Sequence, residues 1–160
     1  MIYFFLIIIF ALVQALLLGR IHILGVATPL LYVYLALLFP RGYSRWLQTL
    51  LCFIMGLVVD IFENTPGLAT TTMTLVGFIQ PLVLELFLKK EDDANLRPAI
   101  NTMGWMKYST YAFILITVYC LVFFSLEAFT AAWWQEWIIA VGGSLALTLV
   151  IILIIDSARR

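Results

Sequence analysis

Long apolar runs separated by short polar connections fill most of the chain. A helix needs about 20 mostly apolar residues to cross a bilayer, and six segments come close to that length or exceed it. These segments are Met1–Gly19, Ile23–Phe39, Trp46–Phe62, Leu68–Leu88, Tyr108–Phe129 and Trp137–Ile155. The pattern predicts an all-α membrane protein whose six transmembrane helices form a single integral membrane domain over residues 1–160.

Composition agrees with this prediction. Hydrophobic residues make up 64% of the chain, charged residues make up 11%, and the mean hydropathy is +1.09. Soluble domains carry roughly 25% charged residues, so a soluble protein is excluded.

The nine basic residues are distributed unevenly, although the net charge is zero. Arg20 lies in the first connection, and the third and fifth connections have no Lys or Arg. The other eight lie in the second connection, in the fourth connection and at the C-terminus: Arg41, Arg45, Lys89, Lys90, Arg97, Lys107, Arg159 and Arg160. The positive-inside rule therefore places both termini and the even-numbered connections in the cytoplasm.

The chain lacks the motifs of common enzymes. It has no phosphate-binding loop, no Rossmann glycine pattern and no Cys/His set with metal-ligand spacing, and its single histidine, His22, lies in a short connection. It also has no basic tract interleaved with aromatic residues, as nucleic-acid binders have. We therefore expect a non-enzymatic protein without catalytic residues, cofactor, metal or nucleic-acid partner. A divalent cation on Asp60 and Glu63 is a weak alternative, since two carboxylates are few ligands.

Several polar or small residues inside the spans predict contacts between helices. Gln14 and Gln80 are expected to hydrogen-bond to neighbouring helices, because water cannot easily reach them. Glu85 is expected to pair with Lys89, one turn later on the same helical face. Gly142 and Ala146 permit close approach of another helix, which can belong to this chain or to a partner.

The fourth connection contains apolar residues at helical spacing: Leu96, Ile100, Met103 and Met106. This spacing predicts either a short helix in the membrane interface or an ordinary elbow between two spans. In the first case Ile100 and Met103 are candidate contacts for a cytoplasmic partner.

The most distinctive segment follows the third span and reads Gly56-Leu-Val-Val-Asp60-Ile-Phe-Glu63-Asn-Thr-Pro66-Gly67-Leu68. At about 1.5 Å per residue, Asp60 lies roughly 21 Å along a helix that starts at Trp46. It is therefore expected near the outer membrane boundary, where its side chain can hydrogen-bond to the backbone of the polar connection. Gly56, one turn earlier on the same face, permits close helix packing.

This segment, together with the size, the six spans, Pro29, and Pro40 with Arg41, resembles the MreD family of bacterial rod-shape-determining membrane proteins. The resemblance implies a compact bundle like the substrate-binding subunits of energy-coupling-factor transporters. It also implies a scaffold of the rod complex in the bacterial cytoplasmic (inner) membrane that binds MreC. Such a scaffold couples the MreB cytoskeleton to peptidoglycan synthesis and cell shape through RodA and the elongation-specific penicillin-binding transpeptidase. Gly56, Asp60, Pro66 and Gly67 are then structural determinants.

A second hypothesis is a small-molecule carrier, namely the vitamin-binding subunit of a membrane transporter. The small residues Ala11 and Ala15 have the spacing by which such subunits dock their transmembrane partner. A carrier also needs a pocket with convergent polar groups. The third and fourth spans offer few such groups for a vitamin.

Overall fold

A computed structural model of the chain describes residues 9, 32–88, 96–129 and 134–158. These ranges contain helices and connections and no β-strand. We number the helices α1 (Val33–Leu37), α2 (Arg45–Glu63), α3 (Leu68–Phe87), α4 (Ile100–Met103), α5 (Trp105–Ala128) and α6 (Trp134–Ala158). The predicted first span, apart from Ile9, and the first part of the second span lie outside the described residues, as do Gln14, His22 and Lys89.

Four of these helices are long and apolar enough to cross a membrane. α2, α3, α5 and α6 contain 19, 20, 24 and 25 residues, which corresponds to about 28–38 Å at 1.5 Å per residue. They coincide with the predicted third to sixth spans. The chain is therefore an all-α, multi-pass membrane protein, and the count of six spans stays a prediction.

The helices α5 and α6 extend beyond the apolar segments that predicted them. α5 begins at Trp105 instead of Tyr108, and α6 covers Trp134–Ala158 instead of Trp137–Ile155. Hydropathy identifies only the apolar part of a helix, which lies in the hydrocarbon core of the membrane. Polar residues such as Asp156 extend the helix into the membrane–water interface.

The helices form two antiparallel hairpins that pack against each other. The first hairpin is α2–α3 and the second is α5–α6, and the contact between them is made mainly by α3 and α5. The short α1 packs on both α3 and α5. A cluster of fully buried tyrosines lies at this junction: Tyr32, Tyr34, Tyr108, Tyr111 and Tyr119.

One end of the bundle, which we call the basic end, collects the start of α2, the end of α3, the start of α5 and the end of α6. The N–H of Arg41 donates a 3.1 Å hydrogen bond to the carbonyl of Leu96, joining the connections on either side of the first hairpin. Arg45 forms a 3.2 Å ion pair with Glu85. Glu85 thus has a partner on the facing helix, whereas the predicted partner Lys89 lies outside the described residues.

Candidate functional site

The sequence motif forms a tight connection between α2 and α3, which we call the Asp60 turn (residues 60–70). The residue that follows α2 is its C-cap, Asn64, which has left-handed dihedrals (φ 56°, ψ 38°). Asparagine tolerates this conformation better than most residues. Leu68 N–H then donates to the Thr65 carbonyl at 3.4 Å. Gly67, at φ 86° and ψ −8°, takes the third position of this type II turn, which favours glycine, and Pro66 takes the second, which favours proline.

The Asp60 side chain fastens the two helices across this turn. Its Oδ1 accepts hydrogen bonds from the Thr65 hydroxyl at 3.0 Å and the Ala69 N–H at 2.9 Å. Its Oδ2 accepts from the Thr70 N–H at 2.8 Å and the Thr70 hydroxyl at 2.5 Å. The first N–H groups of a helix have no partner within it, and Gly67, the N-cap residue of α3, has no side chain to supply one. Asp60 therefore caps α3 from the end of α2.

The Asp60 carboxylate is buried and has its acceptor positions filled. The carboxylate is 7% exposed, and its four hydrogen bonds use about all the acceptor positions that two oxygens offer. The N-terminal end of α3 also favours a negative charge here. A carboxylate held in this way has little capacity left for a metal or for proton transfer, and its contacts join α2 to α3. The sequence predicted bonds to the connection itself, and the N–H bonds fall instead on the first turn of α3.

Gly56 lies at a close approach of α2 to the first turn of α3. A Cβ atom on Gly56 would be 2.6 Å from the Ala69 carbonyl oxygen and 2.6 Å from the Thr70 Cα, well inside van der Waals contact. Gly77 on α3 has a similar position against Cys52 of α2, at 2.7 Å from its Sγ. Gly56 lets the two helix backbones approach closely and brings Ala69 and Thr70 within reach of Asp60, whereas Gly77 makes room for the Cys52 side chain.

A second polar cluster lies inside the bundle toward the basic end. The Gln48 amide donates to Gln80 Oε1 at 2.5 Å, and the Gln80 amide donates to the Tyr111 hydroxyl at 2.7 Å and the Phe39 carbonyl at 3.3 Å. Tyr111 in turn donates to the Leu37 carbonyl at 3.2 Å. The prediction that Gln80 bonds to other helices is confirmed. The sequence did not identify its partners Gln48 and Tyr111, because local pattern does not show which helices face Gln80.

Asp156 is a third buried polar site, and the sequence did not single it out. It is 5% exposed. It accepts a 3.2 Å bond from the Tyr34 hydroxyl on Oδ1 and a 2.7 Å bond from the Ile100 N–H on Oδ2. Its only sequence signal is a lone carboxylate one residue after the last apolar run. The contacts join α1, α4 and α6 at the basic end.

The predicted contact residues Ile100 and Met103 lie in the one-turn helix α4, between the two hairpins. Both are buried, at 9% and 8% exposure. The exposed apolar side chains next to them are those of Trp105 and Met106, at 57% and 80%. A protein partner at this end would therefore contact Trp105 and Met106 before it reached Ile100 or Met103.

Among the described residues no group of three or more His, Cys, Asp or Glu side chains is placed to hold a metal ion. Comparison of the chain with protein-family models, curated proteins and solved structures finds no match.

Proposed function

We propose that this chain is a non-enzymatic membrane scaffold of the MreD type, which binds MreC and couples the MreB cytoskeleton to peptidoglycan synthesis. The observation that carries the proposal is the Asp60 turn, because the residues on which the resemblance rests work together as one structural unit. Gly56 permits the close approach, Asp60 caps α3, and Pro66 with Gly67 forms the turn.

The hydrogen bonds of the buried polar side chains support a scaffold over an enzyme. Asp60 has its acceptor positions filled by the chain's own donors. Gln80 likewise bonds to three partners within the protein. Intramembrane polar groups that serve catalysis face a cavity or water, whereas these groups fix helices relative to one another. A rigid bundle of this kind is suited to presenting a constant surface to partner helices.

The resemblance implies that the scaffold lies in the bacterial cytoplasmic membrane, and the distribution of basic residues predicts that both termini are in the cytoplasm. The basic end then faces the cytoplasm and the MreB filament, and the Asp60 turn faces the side where the wall is built. RodA and the elongation-specific transpeptidase are further proposed partners on that membrane.

Affinity purification of the tagged chain from a native membrane in mild detergent, followed by mass spectrometry, tests the proposal. We expect recovery of MreC together with wall-synthesis proteins. The Asp60→Ala variant should recover less MreC at equal amounts of folded protein, whereas Glu136→Ala, an exposed carboxylate on α6, should recover the wild-type amount.

One result would count against the scaffold, and another would count only against the role of the Asp60 turn. Absence of MreC together with recovery of a transporter's ATPases and coupling subunit would favour the vitamin carrier, which saturable binding of a vitamin to the purified chain would establish. Full recovery of MreC by folded Asp60→Ala would instead remove the role of the Asp60 turn and leave the scaffold standing.

A further inference from the structure

A cavity of about 280 Å³ opens at the basic end, between α4 and the last turn of α6. Its size is close to the lower end of small-molecule sites, which run from roughly 300 to 1,000 Å³. Its lining consists of one buried carboxylate, two polar side chains, one aromatic and one aliphatic side chain and a glycine: Asp156, Asn101, Ser157, Trp105, Ile100 and Gly104.

Asp156 gives the cavity its chemical character. The Tyr34 hydroxyl and the Ile100 N–H occupy one acceptor position on each oxygen, and a carboxylate offers about four such positions. No ion pair joins Asp156 to a Lys or Arg in the described part of the chain. A buried carboxylate is unfavourable without a cationic or strongly hydrogen-bonding partner. The cavity therefore has an anionic wall with acceptor capacity left for a cation.

The other lining residues supply hydrogen-bond donors. The side chains of Asn101 and Ser157 are exposed, and neither forms a hydrogen bond to another described residue. An amide and a hydroxyl at the mouth can donate to the oxygens of a phosphate, while Asp156 accepts from a cation deeper in the wall. The cavity thus matches a ligand that carries both charges.

The position of the cavity indicates where such a ligand comes from. Trp105 begins a membrane-spanning helix and is 57% exposed, and tryptophan concentrates at the level of lipid headgroups. The cavity lies at the start of α5 and the end of α6. It therefore opens at the boundary between lipid and water.

We propose that this cavity binds the headgroup of an ethanolamine phospholipid, with the primary ammonium on Asp156 and the phosphate beside Asn101 and Ser157. A primary ammonium has three N–H donors for the carboxylate. The quaternary ammonium of choline has no N–H donor and is recognised by aromatic cages, and Trp105 is the only aromatic residue of this lining. Anionic headgroups without an amine are repelled by Asp156. By the predicted orientation, the lipid belongs to the cytoplasmic leaflet.

Native mass spectrometry of the full chain in detergent, titrated separately with phosphatidylethanolamine, phosphatidylcholine and phosphatidylglycerol of identical acyl chains, tests the proposal. We expect one phosphatidylethanolamine to be retained with at least about tenfold preference, the lower end of what one hydrogen bond to a charged group provides. Asp156→Asn should remove the preference. Because this variant also alters the bonds to Tyr34 and Ile100, a second variant, Ser157→Leu, narrows the mouth and leaves Asp156 intact. It should also reduce the preference for phosphatidylethanolamine.

Glu136→Gln is the control, since Glu136 is an exposed carboxylate at the other end of α6, and it should keep the preference. Equal retention of the three lipids by the wild-type chain would overturn the proposal, as would an unchanged preference in folded Asp156→Asn. Saturation of the cavity by methylammonium without any lipid preference would also overturn it in favour of a soluble cation. None of these measurements requires MreC, so their outcome is independent of the proposed scaffold function.

Discussion

Asp60 and Thr70 are joined by two hydrogen bonds to a single oxygen: Oδ2 of Asp60 accepts the Thr70 N–H at 2.8 Å and the Thr70 hydroxyl at 2.5 Å. The two residues belong to different membrane helices. This pair, together with the bond from Ala69 N–H, makes the end of α2 and the start of α3 one structural unit.

Replacing Asp60 with alanine should destabilise the protein by roughly 2–3 kcal/mol, because it leaves buried N–H groups at the start of α3 without an acceptor. Thermal unfolding in detergent measures the loss. Asp60→Asn, which retains one acceptor oxygen, should lie between alanine and wild type. Glu136→Ala is the control and should change stability little, and an Asp60→Ala variant as stable as that control would contradict the capping role.

Gly56→Ala should destabilise the protein by about 1–3 kcal/mol, the usual cost of forcing a methyl group into a filled contact. The atoms in the way belong to the backbone of Ala69 and Thr70, so no side-chain rotation can relieve the clash. Gly142→Ala is the matched control in another membrane helix. Apart from its chain neighbours and the backbone of its own helix, no described atom lies within 4 Å of a Cβ at Gly142, so this substitution should be neutral or slightly stabilising. Equal unfolding temperatures for the two variants would refute the close approach.

Gln48 and Gln80 should show measurable coupling in a double-mutant cycle. Interhelical hydrogen bonds in membranes contribute about 0.6–1.7 kcal/mol, and the Gln48 amide bonds directly to Gln80. We expect Gln80→Leu to cost more than Gln48→Leu, because Gln80 also bonds to Tyr111 and Phe39. Additive effects of the two leucine substitutions would show that the bond contributes nothing to stability.

Breaking the ion pair between Arg45 and Glu85 should have a small effect. Both side chains are more than half exposed, at 60% and 53%, and exposed pairs contribute about 0–1 kcal/mol. Arg45→Ala should therefore shift the unfolding midpoint slightly, with a difference that shrinks as salt is added. A loss comparable to that of Asp60→Ala, unchanged by salt, would mean that the pair is shielded from solvent.

Some of this architecture follows from residues close together in the chain. Hydropathy located the third to sixth spans, because burial in hydrocarbon requires a continuous apolar segment. The Gly56–Asp60 spacing of one helical turn predicted both a close packing and a polar role at the end of α2. Asn64, Pro66 and Gly67 have backbone preferences that make a tight turn. The requirement that Gln80 find a partner also follows from its position, since an unpaired amide in hydrocarbon is unfavourable.

The identity of partners distant in sequence was decided by the tertiary structure alone. Glu85 pairs with Arg45 because α2 and α3 are antiparallel, whereas sequence spacing pointed to Lys89. Ile100 and Met103 are buried because α4 packs against α5 and is held to α6 by the bond from Ile100 N–H to Asp156. Asp156 bonds to Tyr34 from 122 positions away. The apolar pattern and the helix periodicity extend over a few residues. They determine which side chains a segment must bury and which polar groups need a hydrogen-bond partner. Only the packing of whole helices determines which groups meet.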